Sequence, residues 1–242
     1  MEIICCALKD EELPLKKHFD NSVRFECCGV YAKQLSFLKE LDPNDYVINI
    51  GVCAGSNIGE LYLCKKIIGK KTYYPDLLIP NNIKQSAITT VDYLVGSEEI
   101  ATNPNMLYDQ EAAIIFAEAQ KYISPHQISF LKIVSDSGVS DFDEVRKEIS
   151  RLIQDKIPEI ETFILNSKKI YTNTEQIDIS KYIEILKPSI TMQNRLNQQF
   201  RYAQIQNINT DEFFDNLPKI TSKQDSLKAL EAFDKFLISN SI

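Results

Sequence analysis

Histidine, glycine and long apolar runs are all scarce in this chain, and each shortage narrows what it can do. Only two histidines are present, His18 and His126. Both are expected on the surface or in loops, so a catalytic site has to rest on carboxylates. No stretch approaches the ~20 consecutive apolar residues of a transmembrane helix, and Met1-Glu2 followed by a strand pattern is not a signal peptide. The expected location is the cytoplasm, with no membrane partner. Positive charge is also lacking: the formal net charge is −7, whereas a protein that binds nucleic acid needs a clustered basic face to displace counterions. The 242 residues, 44% hydrophobic and 25% charged, are enough to bury a substantial core.

The six cysteines lack chelating spacing. Cys5-Cys6 and Cys27-Cys28 are adjacent pairs within strand-like runs, where alternation sends one side chain to each face. Cys53 and Cys64 stand alone. All six read as small hydrophobes in a reducing compartment, and no metal site is expected.

Of the seven glycines, three fall in one stretch, YVINIGVCAGSNIGELYL at 46 to 63, and none follows Gly138. Residues 46 to 50 read as a buried strand, with Val47 and Ile48 branched at Cβ. Gly51, Gly55 and Gly59 then allow a sharp turn and a close approach of backbone to ligand. Upstream, EIICCAL (2 to 8) reads as a strand. Leu13, Leu15 and Phe19 suggest a short helix that tolerates Pro14 near its first turn, SVRFECC (22 to 28) a second strand, and Gly29 the start of a helix through Tyr31, Leu35, Leu38 and Leu41. This β-α-β-α-β order predicts a three-layer αβα body around a mixed twisted sheet.

Further on, 59 to 69 and 86 to 95 read as strands, the latter rich in β-branched residues. A very short strand at 106 to 108 precedes a helix with the apolar stripe Ala112, Ile115, Phe116 and Ala119. ISFLKIV (128 to 134) is a buried strand ending in Ser135-Asp136-Ser137-Gly138, and the carboxyl end of such a strand is where an α/β sheet presents chemistry. From about 143 the periodicity becomes helical. The expected organisation is an α/β body at 1 to 142 and a helical extension at 143 to 242 packed on it.

Four fragments in this order, ALKDEEL, GVCAGSNIGEL, YDQEAA and IVSDSG, resemble the nucleoside phosphorylase and methylthioadenosine/S-adenosylhomocysteine nucleosidase superfamily. The resemblance lies within residues 1 to 140 and implies a nucleoside phosphorylase-like fold. It makes Asp136 the general acid at the purine base and Glu111 the ribose clamp. It makes Glu11 or Glu12 the base that activates water, and Tyr93 the aromatic that stacks on the nucleobase. The glycine loop, with Gly51, Ala54 and Gly55, would lie against sugar and water, and Ser135 would stand beside Asp136. Gln110 departs from the pattern, which carries a methionine that covers the sugar. The segment from Lys65 to Asn105 is shorter than usual, and the tail longer.

The chemistry suits these residue types. Cleaving an N-glycosidic bond requires a proton for the departing base, an acceptor for the sugar hydroxyls near developing positive charge, and an activated nucleophile. Alone, Asp136 would read as a turn-capping residue and Glu111 as an acid favoured by a helix dipole. A phosphorylase would need a phosphate site, usually arginine. The chain has five arginines, none in the first turn or near the glycine stretch, so water is the expected nucleophile and no cofactor is needed. The resemblance also implies a homo-oligomer, most simply a dimer. Competing readings are a phosphorylase, a non-catalytic nucleoside-binding protein of the same fold, and a class I methyltransferase whose glycine turn would be 51 to 59. The last would place that turn on the first strand of its core, whereas here two β-α units precede it.

Overall fold

Five consecutive buried residues form β1 (Glu2–Cys6), and this strand organises the first of two units, Met1–Lys168 and Lys169–Ile242, in the computed structural model. The structure describes residues 1–19, 22–42, 44–75, 78–138, 142–172 and 178–240. β1 pairs in parallel with β2 (Arg24–Cys27) and β3 (Tyr46–Ala54). β3 is parallel to β8 (Ile128–Asp136), which lies antiparallel to β4 (Leu61–Ile68). β4 pairs with the short β5 (Thr72–Tyr73) and runs parallel to β6 (Lys84–Thr90). β6 in turn runs parallel to β7 (Met106–Asp109). β7 returns to β3 at the antiparallel pair Ala54–Tyr108, so β3, β8, β4, β6 and β7 close on themselves while β1 and β2 extend from β3. The sheet is mixed and flanked by helices, as the alternation of strands and helices predicts.

β8 is buried on both faces over almost its whole length, which explains its near-continuous apolar sequence. α3 (Ala112–Ala119) buries Ala112, Ile115, Phe116 and Ala119, its predicted stripe. α1 (Lys9–Phe19) carries Pro14 in its interior rather than its first turn. A proline there leaves the carbonyl four residues back without its helical donor. That carbonyl, on Asp10, accepts instead from the Ser150 hydroxyl at 2.8 Å, and Arg146 pairs with the Asp10 carboxylate at 2.7 Å. Both partners lie on α4 (Phe142–Asp155). The first unit therefore contains α4 and α5 (Ile157–Thr172) as far as Lys168, past the division expected at 142.

Several local expectations are corrected. No α-helix follows Gly29. The segment forms two 3-10 turns, Val30–Ala32 and Ser36–Glu40, because Tyr31 (φ 59°) and Ala32 (φ 47°) adopt left-handed backbone that cannot continue a right-handed ladder. β3 runs on through Gly51 to Ala54, so the glycine stretch bends after residue 54, not at 51. β6 ends at Thr90, and Tyr93 lies in the irregular segment that leads to a short helix, α2 (Ser97–Thr102). Leu13 is 52% exposed, whereas Glu11 on the same helix is buried. His126 is buried in the turn before β8, which is anchored where Gln127 Nε2 donates to the Asp45 carbonyl at 2.7 Å.

The second unit is helical, with α6 (Ser180–Leu186), α7 (Ile190–Ile205), α8 (Asp211–Asp215) and α9 (Lys223–Asn240). Leu196, Phe200, Phe214, Leu230 and Phe233 form its own core, with the Tyr182 and Phe200 rings 4.3 Å apart. Among the described residues no helix is long and apolar enough to cross a membrane.

Candidate active site

The carboxyl ends of β1, β3, β6, β7 and β8 meet around a cavity of about 320 Å³ in the first unit, at the small end of the roughly 300–1,000 Å³ usual for ligand pockets. Four carboxylates reach its wall: Glu11, Asp109, Glu111 and Asp136.

Glu11 enters from the first turn of α1. Its Oε2 accepts from the backbone N–H groups of Ala7 and Leu8, both at 2.9 Å, and its Oε1 from Val52 N at 2.8 Å. Gly51 explains how the carboxylate fits so tightly against β3: a Cβ there would stand 2.8 Å from Glu11 Oε1. Burial raises the Glu11 carboxyl above its ordinary value, against the lowering effect of Lys132 and the three amides. The neighbouring Glu12 lies off the cavity wall, paired with Lys16 one helical turn along. Of the two alternatives in ALKDEEL, Glu11 faces the cavity.

Asp109 and Glu111 flank Gln110 at the junction of β7 and α3. Asp109 caps the helix, accepting from Ala112 N at 2.9 Å, and also accepts from the Thr90 hydroxyl at 2.8 Å. Lys132, inside β8, reaches the same carboxylate at 2.8 Å, and both side chains are 1% exposed. Burial opposes a charged lysine, but Asp109 and then Glu111 and Glu11 outweigh it and hold the ammonium protonated. Glu111 Oε1 accepts from Tyr31 N at 3.1 Å. Burial pushes its carboxyl up to about 7, helped by the charges of Asp109 and Glu11 and opposed by Lys132. One ammonium thus serves three buried carboxylates, so the cluster either holds a proton or awaits a cationic or proton-donating ligand.

Asp136 is the last residue of β8. The β3–β8 register shifts between Cys53 and Ala54, so that Ala54 pairs with Asp136 and Ser135 is the extra residue. Such a bulge re-aims the side chains around it. Ser135 Oγ bonds Asp136 Oδ2 at 2.8 Å and the Cys53 carbonyl at 3.2 Å, while Gly138 N donates to Asp136 Oδ1 at 2.9 Å. Gly138 must be glycine: its φ is 98°, and a Cβ would lie 2.4 Å from Ser97 N. Gly55 is not on the wall; its N–H donates to the Asp136 carbonyl at 2.9 Å. Ala54, Cys53 and Val52 do line the cavity.

Tyr93 and Gln110 also line the cavity, with Val91, Leu94 and Val95. Tyr93 is 48% exposed, and its hydroxyl donates to Glu99 Oε1 at 3.0 Å. Among the lining residues there is no arginine and no lysine. Arg24 is spent on Glu26 and Glu40, at 2.7 and 3.0 Å. Lys132, Asp109 and Tyr31 belong to this cluster although no local sequence pattern places them there.

No protein-family model matches the chain, nor does any curated protein sequence. Solved structures do. The chain resembles a 5'-methylthioadenosine/S-adenosylhomocysteine nucleosidase from Neisseria meningitidis in complex with methylthio-immucillin-A. The TM-score is 0.56 at 15% identity, covering 69% of this chain and 98% of that one. The nucleosidase from S. pneumoniae with a transition-state inhibitor gives a TM-score of 0.55 at 17% identity, over 68% and 98% of the two chains. A futalosine hydrolase mutant of Helicobacter pylori gives 0.52 at 12%, over 67% and 97%. The chain therefore shares the nucleoside phosphorylase-like α/β fold of these solved structures, the fold that the ordered fragments of the sequence anticipate.

Proposed function

We propose that the protein is a nucleosidase that hydrolyses the N-glycosidic bond of a purine nucleoside or adenosine derivative. The observation that carries this reading is the convergence of Glu11, Glu111 and Asp136 on one cavity free of basic lining residues, in a fold shared with nucleosidases.

In this mechanism the base lies at the Asp136 end and the sugar between Glu111 and Glu11. Water attacks C1′ as the bond to the base breaks. The bonding pair leaves with the base, which takes a proton from Asp136 at N7, and the water's proton passes to Glu11. Glu111, ionised, accepts hydrogen bonds from sugar hydroxyls and stabilises the oxocarbenium-like sugar. Glu11 suits the role of base because three amides fix its orientation while burial raises its basicity. Lys132 limits that rise at Glu11 and at Glu111. An acidic wall repels phosphate, which favours water as the nucleophile. The active form is taken to be a cytoplasmic homo-oligomer.

The test is incubation with a panel of nucleosides, with and without phosphate, scoring free base by chromatography beside Asp136→Asn. Phosphate-independent release, lost in the variant, is the expected result. Release that requires phosphate makes the protein a phosphorylase. Binding without release makes it a nucleoside-binding protein.

A further inference from the structure

Tyr31 lines this cavity and is partly buried. Its N–H donates to Glu111 Oε1 at 3.1 Å, its hydroxyl donates to the Asp92 carbonyl at 3.4 Å, and Gln110 Nε2 donates to the same hydroxyl at 3.3 Å. Gln110 Nε2 also reaches the Tyr93 carbonyl at 3.3 Å. A backbone carbonyl can only accept, so the amide nitrogen must face it, which fixes the orientation of Gln110. The hydroxyl of Tyr31 is thereby tied to Gln110 and to the segment after β6, while the residue's backbone N–H holds Glu111. Its backbone is left-handed at φ 59°, next to Ala32 at 47° and Gly29 at 70°. A bulky residue in that conformation is an outlier, and such outliers persist where the surrounding structure holds them for a purpose.

We propose that Tyr31 is a specificity-determining gate: it roofs the cavity so that the site takes compact nucleosides and excludes those with a long substituent on the sugar. The inference rests on the nucleosidase reading for the identity of the ligand, and on geometry for the selection. The cavity volume of about 320 Å³ is at the small end of the range usual for ligand sites. A substituent extending beyond the sugar has to displace the ring and break the two bonds of its hydroxyl. Those to Asp92 and Gln110 are long, so the ring can swing away once its anchors are removed, while the N–H bond to Glu111 belongs to the backbone and stays.

The experiment measures dissociation constants of adenosine and S-adenosylhomocysteine by calorimetry, for the native protein, Tyr31→Ala and Tyr31→Gly. The glycine variant suits φ 59° and keeps the test open if the alanine variant does not fold. The native protein is expected to bind adenosine roughly tenfold or more tightly than S-adenosylhomocysteine. Removing the ring should narrow the ratio to about threefold or less, mainly through gain of the longer ligand. Equal native affinities overturn the gate, as does an unchanged ratio in folded variants. A native preference without any base release leaves the gate standing and removes the nucleosidase reading alone. If the native protein binds neither nucleoside, both readings fall.

Discussion

Replacing Lys132 by methionine keeps most of the side-chain volume and deletes the one ammonium that serves Asp109, Glu111 and Glu11. Breaking a fully buried ion pair by removing one partner costs about 3–5 kcal/mol. The 2.8 Å bond to Asp109 is between side chains that are each 1% exposed, so solvent does not screen it. Asp109 keeps the Thr90 hydroxyl and Ala112 N, and Glu11 keeps three amides, which places the expected loss near the lower bound, about 3 kcal/mol. The loss must also depend on pH. Lys132 lowers the proton affinity of Glu11 and Glu111; without it both bind protons more tightly in the folded state than in the unfolded chain. Stability then falls as pH rises, by up to about 1.4 kcal/mol per unit for each retained proton. The deficit should therefore be smaller at pH ~5.5 than at pH ~8. Native-state hydrogen exchange of β3 and β8 amides reads this for the first unit separately from the second. A deficit below about 1 kcal/mol, or one independent of pH, refutes the assignment of Lys132 as the counter-charge.

Three further outcomes are expected. Glu11→Gln should lower base release about 10²–10⁴-fold. Glu12→Gln, which removes the pair with Lys16 on the helix away from the cavity wall, should change it by roughly threefold at most; the reverse ranking would move the base to Glu12. Gly51→Ala puts a Cβ 2.8 Å from Glu11 Oε1 and should cost about 1–3 kcal/mol in urea unfolding together with base release. Glu111, raised from 4.5 to about 7, holds a proton that the unfolded chain sheds. Its share of stability is full below pH 4.5 and lost as pH rises to 7, about 3 kcal/mol in all. Adenosine affinity, which uses the ionised form, should rise through the same window, whereas in Glu111→Gln it should be flat.

What could be read from the sequence was whatever depends on neighbours in the chain. The strand end at Ser135-Asp136, the helix start at Glu111 and the apolar stripe of α3 are local patterns, and each stands where its pattern puts it. Lys132 was hidden because its meaning depends on β7. A lysine within ISFLKIV is tolerable in a buried strand only if a distant carboxylate meets it, and Asp109, which does, lies 23 positions earlier. That single charge inside an apolar run was the available signal. The choice between Glu11 and Glu12 was likewise beyond reach, since α1 turns one to the cavity and the other to Lys16. In the sequence Gly51 reads as a turn, because glycine usually marks one. Its actual use, room for the Glu11 carboxylate inside a continuing strand, depends on a side chain 40 positions away. The left-handed backbone at Tyr31 and Ala32 carries no residue-type signal at all, which is why a helix was expected there.

The central claim is that water, activated at Glu11, breaks the bond from sugar to base. It is tested most directly by single-turnover cleavage of adenosine in heavy-oxygen water without phosphate, with mass analysis of the sugar. The account predicts free adenine and ribose carrying one solvent oxygen, at a rate that collapses in Asp136→Asn. Ribose 1-phosphate formed only when phosphate is added, or adenosine bound and recovered intact, would contradict it.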